Sequence, residues 1–91
     1  MHKKRPVLVI SNNILNQILP TVIIIPFSSI VPQFIGPDMV KINQKRLDKP
    51  SVVIVNQMRS IDKNRLVEKV SKLSTSTLEQ VEEAIKIVLD L

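Results

Sequence analysis

Short apolar runs alternate with polar breakers along the first part of the chain, and then the period changes. Pro6-Val-Leu-Val-Ile10, Thr21-Val-Ile-Ile-Ile25 and Ser51-Val-Val-Ile-Val55 are β-branched and apolar at successive positions, which predicts strands covered on both faces. Met39-Val-Lys-Ile42 alternates instead, predicting a fourth strand with one face in solvent. Ser11-Asn-Asn13, Pro26 with Pro32, Gly36-Pro37-Asp38 and Asp48-Lys49-Pro50 break the runs. Strands of this length and spacing predict a small β-barrel, which also supplies two-sided cover.

From Ser74 onward, Leu78, Val81, Ile85, Val88 and Leu89 recur at helical intervals, while Glu79, Glu82, Glu83, Lys86 and Asp90 take the other face. The pattern predicts a closing amphipathic helix. Two starts fit it: Ser76-x-x-Glu79 reads as a capping box, and Ser74 just before it can cap as well. Between barrel and helix, Asp62 to Leu73 carries no clean helical stripe and reads as a turn followed by a short strand. The class is α+β, mainly β. With 91 residues, 44% of them hydrophobic, and a mean hydropathy of +0.16, residues 1–91 form one domain around one core.

Composition narrows the chemistry. Cysteine is absent, which rules out disulfides and thiolate metal sites. The one glycine, Gly36, leaves no phosphate-cradling or dinucleotide-binding glycine turn, so no nucleotide cofactor is expected. The one histidine, His2, sits near the free end, so no His-based metal site or His-activated nucleophile is expected. No apolar stretch approaches the roughly 18 residues needed to cross a bilayer, so the chain is expected to be cytoplasmic. Charge adds a partner class. Residues 1–65 carry ten basic and three acidic side chains, a net +7, whereas residues 66–91 carry three and five, a net −2. A small basic domain of this kind suits a polyanion such as nucleic acid.

Two places gather groups for such a ligand. If Pro6–Ile10 and Thr21–Ile25 form an antiparallel hairpin, positions summing to about 33 face one another, and Arg5 falls beside Ser28. A guanidinium fork and a hydroxyl at one rim would hold a phosphate; the same spacing also fits an exposed Arg beside a turn-forming Ser. The second place is Asn56-Gln-Met-Arg59-Ser-Ile-Asp62, whose amides and Arg59 could read bases and hold phosphate. Read structurally, this run closes a turn, with Arg59 paired to Asp62. Lys45-Arg-Leu-Asp-Lys49 reads as a solvated loop, and His2 as disordered. Phe27 and Phe34 are the only aromatics, so the stacking platforms of single-strand binders are expected to be missing.

Arg5-Pro-Val-Leu-Val-Ile-Ser-Asn12, Pro20-Thr-Val-Ile-Ile-Ile25 and Gln57-Met-Arg-Ser-Ile-Asp-Lys63 with Arg65-Leu66 resemble, in this order, the MazF/PemK family of toxin endoribonucleases. Leu73-Ser74 followed by Val81-Glu-Glu-Ala-Ile85 is similar to the family's closing helix. The resemblance implies an SH3-like β-barrel with a C-terminal helix, in a symmetric homodimer whose interface carries single-stranded RNA. It implies a sequence-selective, metal-independent ribonuclease in which a 2′-hydroxyl of mRNA attacks the adjacent phosphate, leaving a 2′,3′-cyclic phosphate and a 5′-hydroxyl. By the same comparison Arg5 and Ser28 are catalytic, and Ser29, Asn56, Gln57, Arg59 and Ser60 bind RNA. Asn56 stands where the Kid branch carries an acid.

Members usually open with a Gly-Asp-Ile/Val strand and a loop bearing Glu and Gly, whereas here Met1-His-Lys-Lys4 alone precedes Arg5. The resemblance therefore implies a barrel short of its N-terminal strand and loop, with an edge for a dimer partner, another chain or a swapped segment to cover. It also implies a small antitoxin whose acidic, flexible segment covers the RNA groove. The alternative expectation is a truncated relative that binds RNA or antitoxin without cutting.

Overall fold

The computed structural model describes residues 5–43 and 50–91. His2 and the basic run Lys45–Lys49 lie outside the described residues. Five strands and two helices follow in the order β1 (Val7–Val9), α1 (Asn13–Ile18), β2 (Thr21–Ser28), β3 (Met39–Ile42), β4 (Ser51–Ile54), β5 (Arg59–Asp62) and α2 (Thr75–Leu89). Short 3-10 turns, Val55–Gln57 and Lys63–Arg65, bracket β5. No helix among the described residues is long and apolar enough to cross a membrane.

The expected hairpin forms in the expected register. Val7 faces Pro26, Leu8 faces Ile25 and Val9 faces Ile24. Ile10 N–H donates to the Ile23 carbonyl at 3.0 Å and Phe27 N–H to the Pro6 carbonyl at 3.3 Å, extending the ladder at both ends. The connection between the two strands is a helix. Asn12 Oδ1 accepts from Ile14 N–H at 2.8 Å and caps α1. Leu19, held extended before Pro20 (φ −88, ψ 150), ends it, because the residue before a proline avoids the helical region.

β2 organises the sheet. It runs on through Pro26, where a stop was expected, because that proline falls between the residues that make ladder bonds. On one side its neighbour Phe27 supplies the bond to Pro6. On the other, Pro26 lies between Thr21–Ile24, which pair with β5, and Phe27–Ser28, which pair with β4. A missing N–H therefore costs no ladder bond at the point where the strand changes partners. β3 pairs with β4, so the sheet runs β1-β2-β4-β3 with β5 on the first half of β2. Among the described residues no ladder joins β1 or β5 to β3. The α+β class holds, but the sheet stays open where a closed barrel was expected.

One helix covers one side of this sheet, and burial follows from that. Ile25, Val40, Ile42, Val53 and Val55 pack with Val81 and Ala84 of α2, and Leu8, Ile10, Phe27 and Met58 surround them. Cover on both faces holds for Ser51, Val52 and Val53 of β4 but not for β1 and β2, where Val9 and Ile23 are exposed. β3 alternates as its pattern predicts, with Val40 and Ile42 inward and Lys41 outward.

Ser74, not Ser76, starts α2: its Oγ accepts from Thr77 N–H at 3.2 Å. Asp90, left-handed at φ 57, ends it, with Leu91 N–H donating to the Lys86 carbonyl at 2.9 Å. The apolar stripe centres on Val81, Ala84, Ile85 and Val88, leaving Leu78 and Leu89 at its exposed margins. Residues 66–73 form no strand, and Val67 is 70% exposed there.

Candidate functional site

A cleft of about 710 Å³ lies where β2 changes partners. Pro26, Phe27 and Ile54 give it apolar walls. Its polar groups come from five places: Arg5 ahead of β1, Ser28 and Ser29 at the end of β2, Ser51 at the start of β4, Gln57 in the 3-10 turn after β4, and Arg59 at the start of β5. Pro6 and Ile30 complete it. No carboxylate is among these lining residues.

Register explains the convergence. The pairing of Val7 with Pro26, continued outward, sets Arg5 across from Ser28 at the hairpin's open end. The pairing of Ile24 with Arg59 places that arginine on the other edge of the same strand. Arg5 and Arg59 are exposed and form no ion pair with a described residue, so both guanidiniums are available to a ligand. Ser28 is half-buried. Its Oγ accepts from Ile30 N–H at 3.2 Å and lies 3.4 Å from the Ile30 carbonyl, a weak local turn that a stronger acceptor can displace.

Five of the seven residues singled out from sequence therefore share one cleft: Arg5, Ser28, Ser29, Gln57 and Arg59. Asn56 and Ser60 do not line it. Ser60 faces the exposed Ile23 across the β2–β5 ladder, so the alternation of the strand turns it to the opposite side from Arg59. The same alternation overturns the expected Arg59–Asp62 pairing, because positions three apart in a strand point to opposite faces. Asn56 is exposed on the 3-10 turn. Sequence reading missed Ser51, Ile30 and Ile54. Ser51 opens an apolar run and gave no sign beyond its hydroxyl; Ile30 gave none.

A polar network ties the other end of β2 to its neighbours. Ser11 Oγ accepts from Ile23 N–H at 3.0 Å and is hydrogen-bonded to the Asn16 side chain, whose Nδ2 donates to the Ser11 carbonyl at 3.0 Å. Lys63 Nζ donates to the Asn16 carbonyl at 2.6 Å, and Lys63 N–H to the Pro20 carbonyl at 2.9 Å. These bonds tie α1 to β2 and to the end of β5, which carries Arg59. A smaller notch of about 290 Å³ lies between β1 and α2, lined by Val9, Ile10, Leu78, Val81, Glu82 and Ile85. Its one charged group, Glu82, lies 3.7 Å from Lys86 and offers no comparable chemistry.

Comparison with known proteins agrees with this frame. The model of the PemK-like, MazF-like toxin of type II toxin-antitoxin systems matches residues 1–89. Endoribonuclease EndoA of Bacillus subtilis is 38% identical over 89 residues, covering 96% of this chain and 77% of that protein. Endoribonuclease MazF of Staphylococcus saprophyticus is 39% identical over 89 residues, covering 96% and 74%. Among solved structures, the Mycobacterium tuberculosis toxin MazF-mt6 superposes with a TM-score of 0.85 at 26% identity, covering 96% of this chain and 87% of that one. A family match over nearly all its length, with curated relatives above a third identical, places the chain in the PemK-like, MazF-like family of toxins of type II toxin-antitoxin systems.

Proposed function

We propose that this endoribonuclease of the toxin family cuts single-stranded mRNA in the Arg5–Ser28 cleft, with the RNA supplying its own nucleophile. A 2′-hydroxyl attacks the adjacent phosphorus as the bond to the following 5′-oxygen breaks. The 2′-proton leaves, and the 5′-oxygen takes up a proton to become a hydroxyl. The products are a 2′,3′-cyclic phosphate and a 5′-hydroxyl end, and no metal takes part. What such a step asks of a protein is charge stabilisation at the five-coordinate phosphorus and a held geometry. Arg5 offers a two-pronged donor for the phosphoryl oxygens and is the candidate for moving the proton. Ser28 offers a hydroxyl, and Arg59 holds a neighbouring phosphate. Ser29 and Gln57 face bases, and exposed Asn56 would meet RNA running past the cleft, whereas Ser60, turned to the opposite side from Arg59, takes no part in this reading.

The observation that carries this reading is the meeting of Arg5, Ser28 and Arg59 in one cleft with no carboxylate on its lining. The net +7 of residues 1–65 suits the substrate, and it suits a silencing antitoxin whose acidic, flexible segment occupies the same cleft. A homodimer placing two clefts along one RNA completes the proposal.

The test is to incubate the chain with a long single-stranded RNA in EDTA and sequence the new ends. Discrete cuts bearing cyclic phosphate are expected, with the rate falling about 10²–10³-fold in Arg5→Ala while the circular dichroism spectrum is unchanged. RNA that stays intact with a folded sample would overturn the proposal in favour of binding without cutting.

A further inference from the structure

The loop between β2 and β3 carries the two most exposed large apolar side chains ahead of the last residue among the described residues: Phe34 at 82% and Ile30 at 81%. Scattered exposed apolar residues are ordinary. These two differ in where the loop holds them. Its first residues, Ser29 and Ile30, line the cleft. Its last, Asp38, accepts from Val55 N–H at 2.8 Å, two residues before the cleft residue Gln57. Both ends of the loop are thus anchored beside the cleft, and Phe34, which is not itself on the lining, lies between them along the chain.

The loop is also restrained. Pro32 and Pro37 fix the backbone on either side of Phe34. Met39 N–H donates to the Gly36 carbonyl at 3.1 Å, closing a turn with Pro37 at its second position. An exposed ring on a stiffened loop loses little further freedom when something stacks on it. Phe27, the other aromatic, is packed against the core and forms part of the cleft wall rather than standing clear of it.

Resting on the ribonuclease reading above, we propose that Phe34 is a specificity-determining residue, a stacking platform for an unpaired RNA base next to the phosphate held by Arg5 and Ser28, with Ile30 supporting that base from the cleft side. The stacking platform that seemed absent from the sequence is then a single ring. A neighbouring cationic cleft supplies the backbone contact that base stacking needs as its complement. The occupant is a base rather than a protein side chain because the loop is continuous with a cleft whose charged groups are both arginines.

The full chain supplies the test, with Phe34→Ala and Phe34→Trp compared on a single-stranded RNA containing a mapped cut. Phe34→Ala is expected to raise KM about tenfold, leave kcat within about twofold, and relax base choice beside the cut. Phe34→Trp should restore KM. Its indole would stand alone in a chain without Trp or Tyr, so quenching of its emission by RNA reports stacking directly. Unchanged KM and cut pattern in Phe34→Ala, or emission indifferent to saturating RNA, would overturn the proposal. So would a change in sedimentation of RNA-free Phe34→Ala, which would assign the patch to a protein contact. Affinity for an RNA carrying 2′-deoxy substitutions, which cannot be cut, decides the stacking separately: a tenfold loss in Phe34→Ala supports it even if the wild type fails to cleave, and equal affinity rejects it.

Discussion

The Ser28 hydroxyl is engaged with Ile30 N–H and the Ile30 carbonyl at 3.2 and 3.4 Å, distances at which little energy is committed. Ser28→Ala therefore should cost under about 1 kcal/mol of stability, yet remove a donor from the phosphate. Cutting is expected to slow at least tenfold in Ser28→Ala and to recover within a few-fold in Ser28→Thr, which keeps the hydroxyl. Initial rates on one RNA, with thermal melts of all three proteins, decide it: a wild-type rate in Ser28→Ala would remove the residue from the mechanism. Arg5 and Ser28 were legible in the sequence because the two apolar runs fix a hairpin register. Ser51 and Ile30 were not, because their placement depends on where β4 and the following loop land, which no local pattern encodes. Phe34 was visible as a residue, but its exposure is a property of the folded loop.

Among elements, the apolar ones announced themselves and the polar ones did not. β3 and α2 are legible in Met39–Ile42 and in the stripe around Val81 and Val88 because burial selects apolar positions at the period of the element. β5 is an edge strand exposed at Arg59, Ser60 and Asp62, so its sequence reads as a turn, and only the ladder to Thr21–Ile24 makes it a strand. α1 buries no residue and stands on its Asn12 cap, Pro20 and the Lys63 bond. The start of α2 allowed two caps, and geometry chooses one. Ser74 Oγ accepts from Thr77 N–H at 3.2 Å and lies 2.8 Å from Thr77 Oγ1, whereas the Ser76 hydroxyl lies 3.4 Å from it. Ser74→Ala is expected to cost about 1 kcal/mol and Ser76→Ala a small fraction of that, read as shifts of the urea midpoint at constant slope. Equal shifts would show that the cap is shared.

At the scale of the whole molecule, charge and architecture divide along the chain in the same way. The sheet carries the cleft and its two arginines, while the acidic residues Glu79, Glu82 and Glu83 stand exposed on α2, no residue of which lines the cleft. A ligand bound through the cleft should therefore feel the basic part alone. If about four phosphates are neutralised, log K for single-stranded RNA should fall against log salt with a slope of about −3, a loss of about fiftyfold between 50 and 200 mM. Arg59→Ala should reduce the slope by about 0.7, since one fewer counterion set is released. Glu82→Gln with Glu83→Gln should leave it unchanged, because exposed charges farther apart than a Debye length are screened from the bound strand. Fluorescence anisotropy of a labelled, uncleavable RNA across that salt range separates these cases. A slope near zero would mean that the basic excess is solvated surface, and a slope untouched by Arg59→Ala would place the RNA backbone away from β5. A slope that falls with Arg59→Ala but not with the α2 substitutions would confine the polyanion to the sheet side, where Arg5 and Ser28 wait at the other edge of β2.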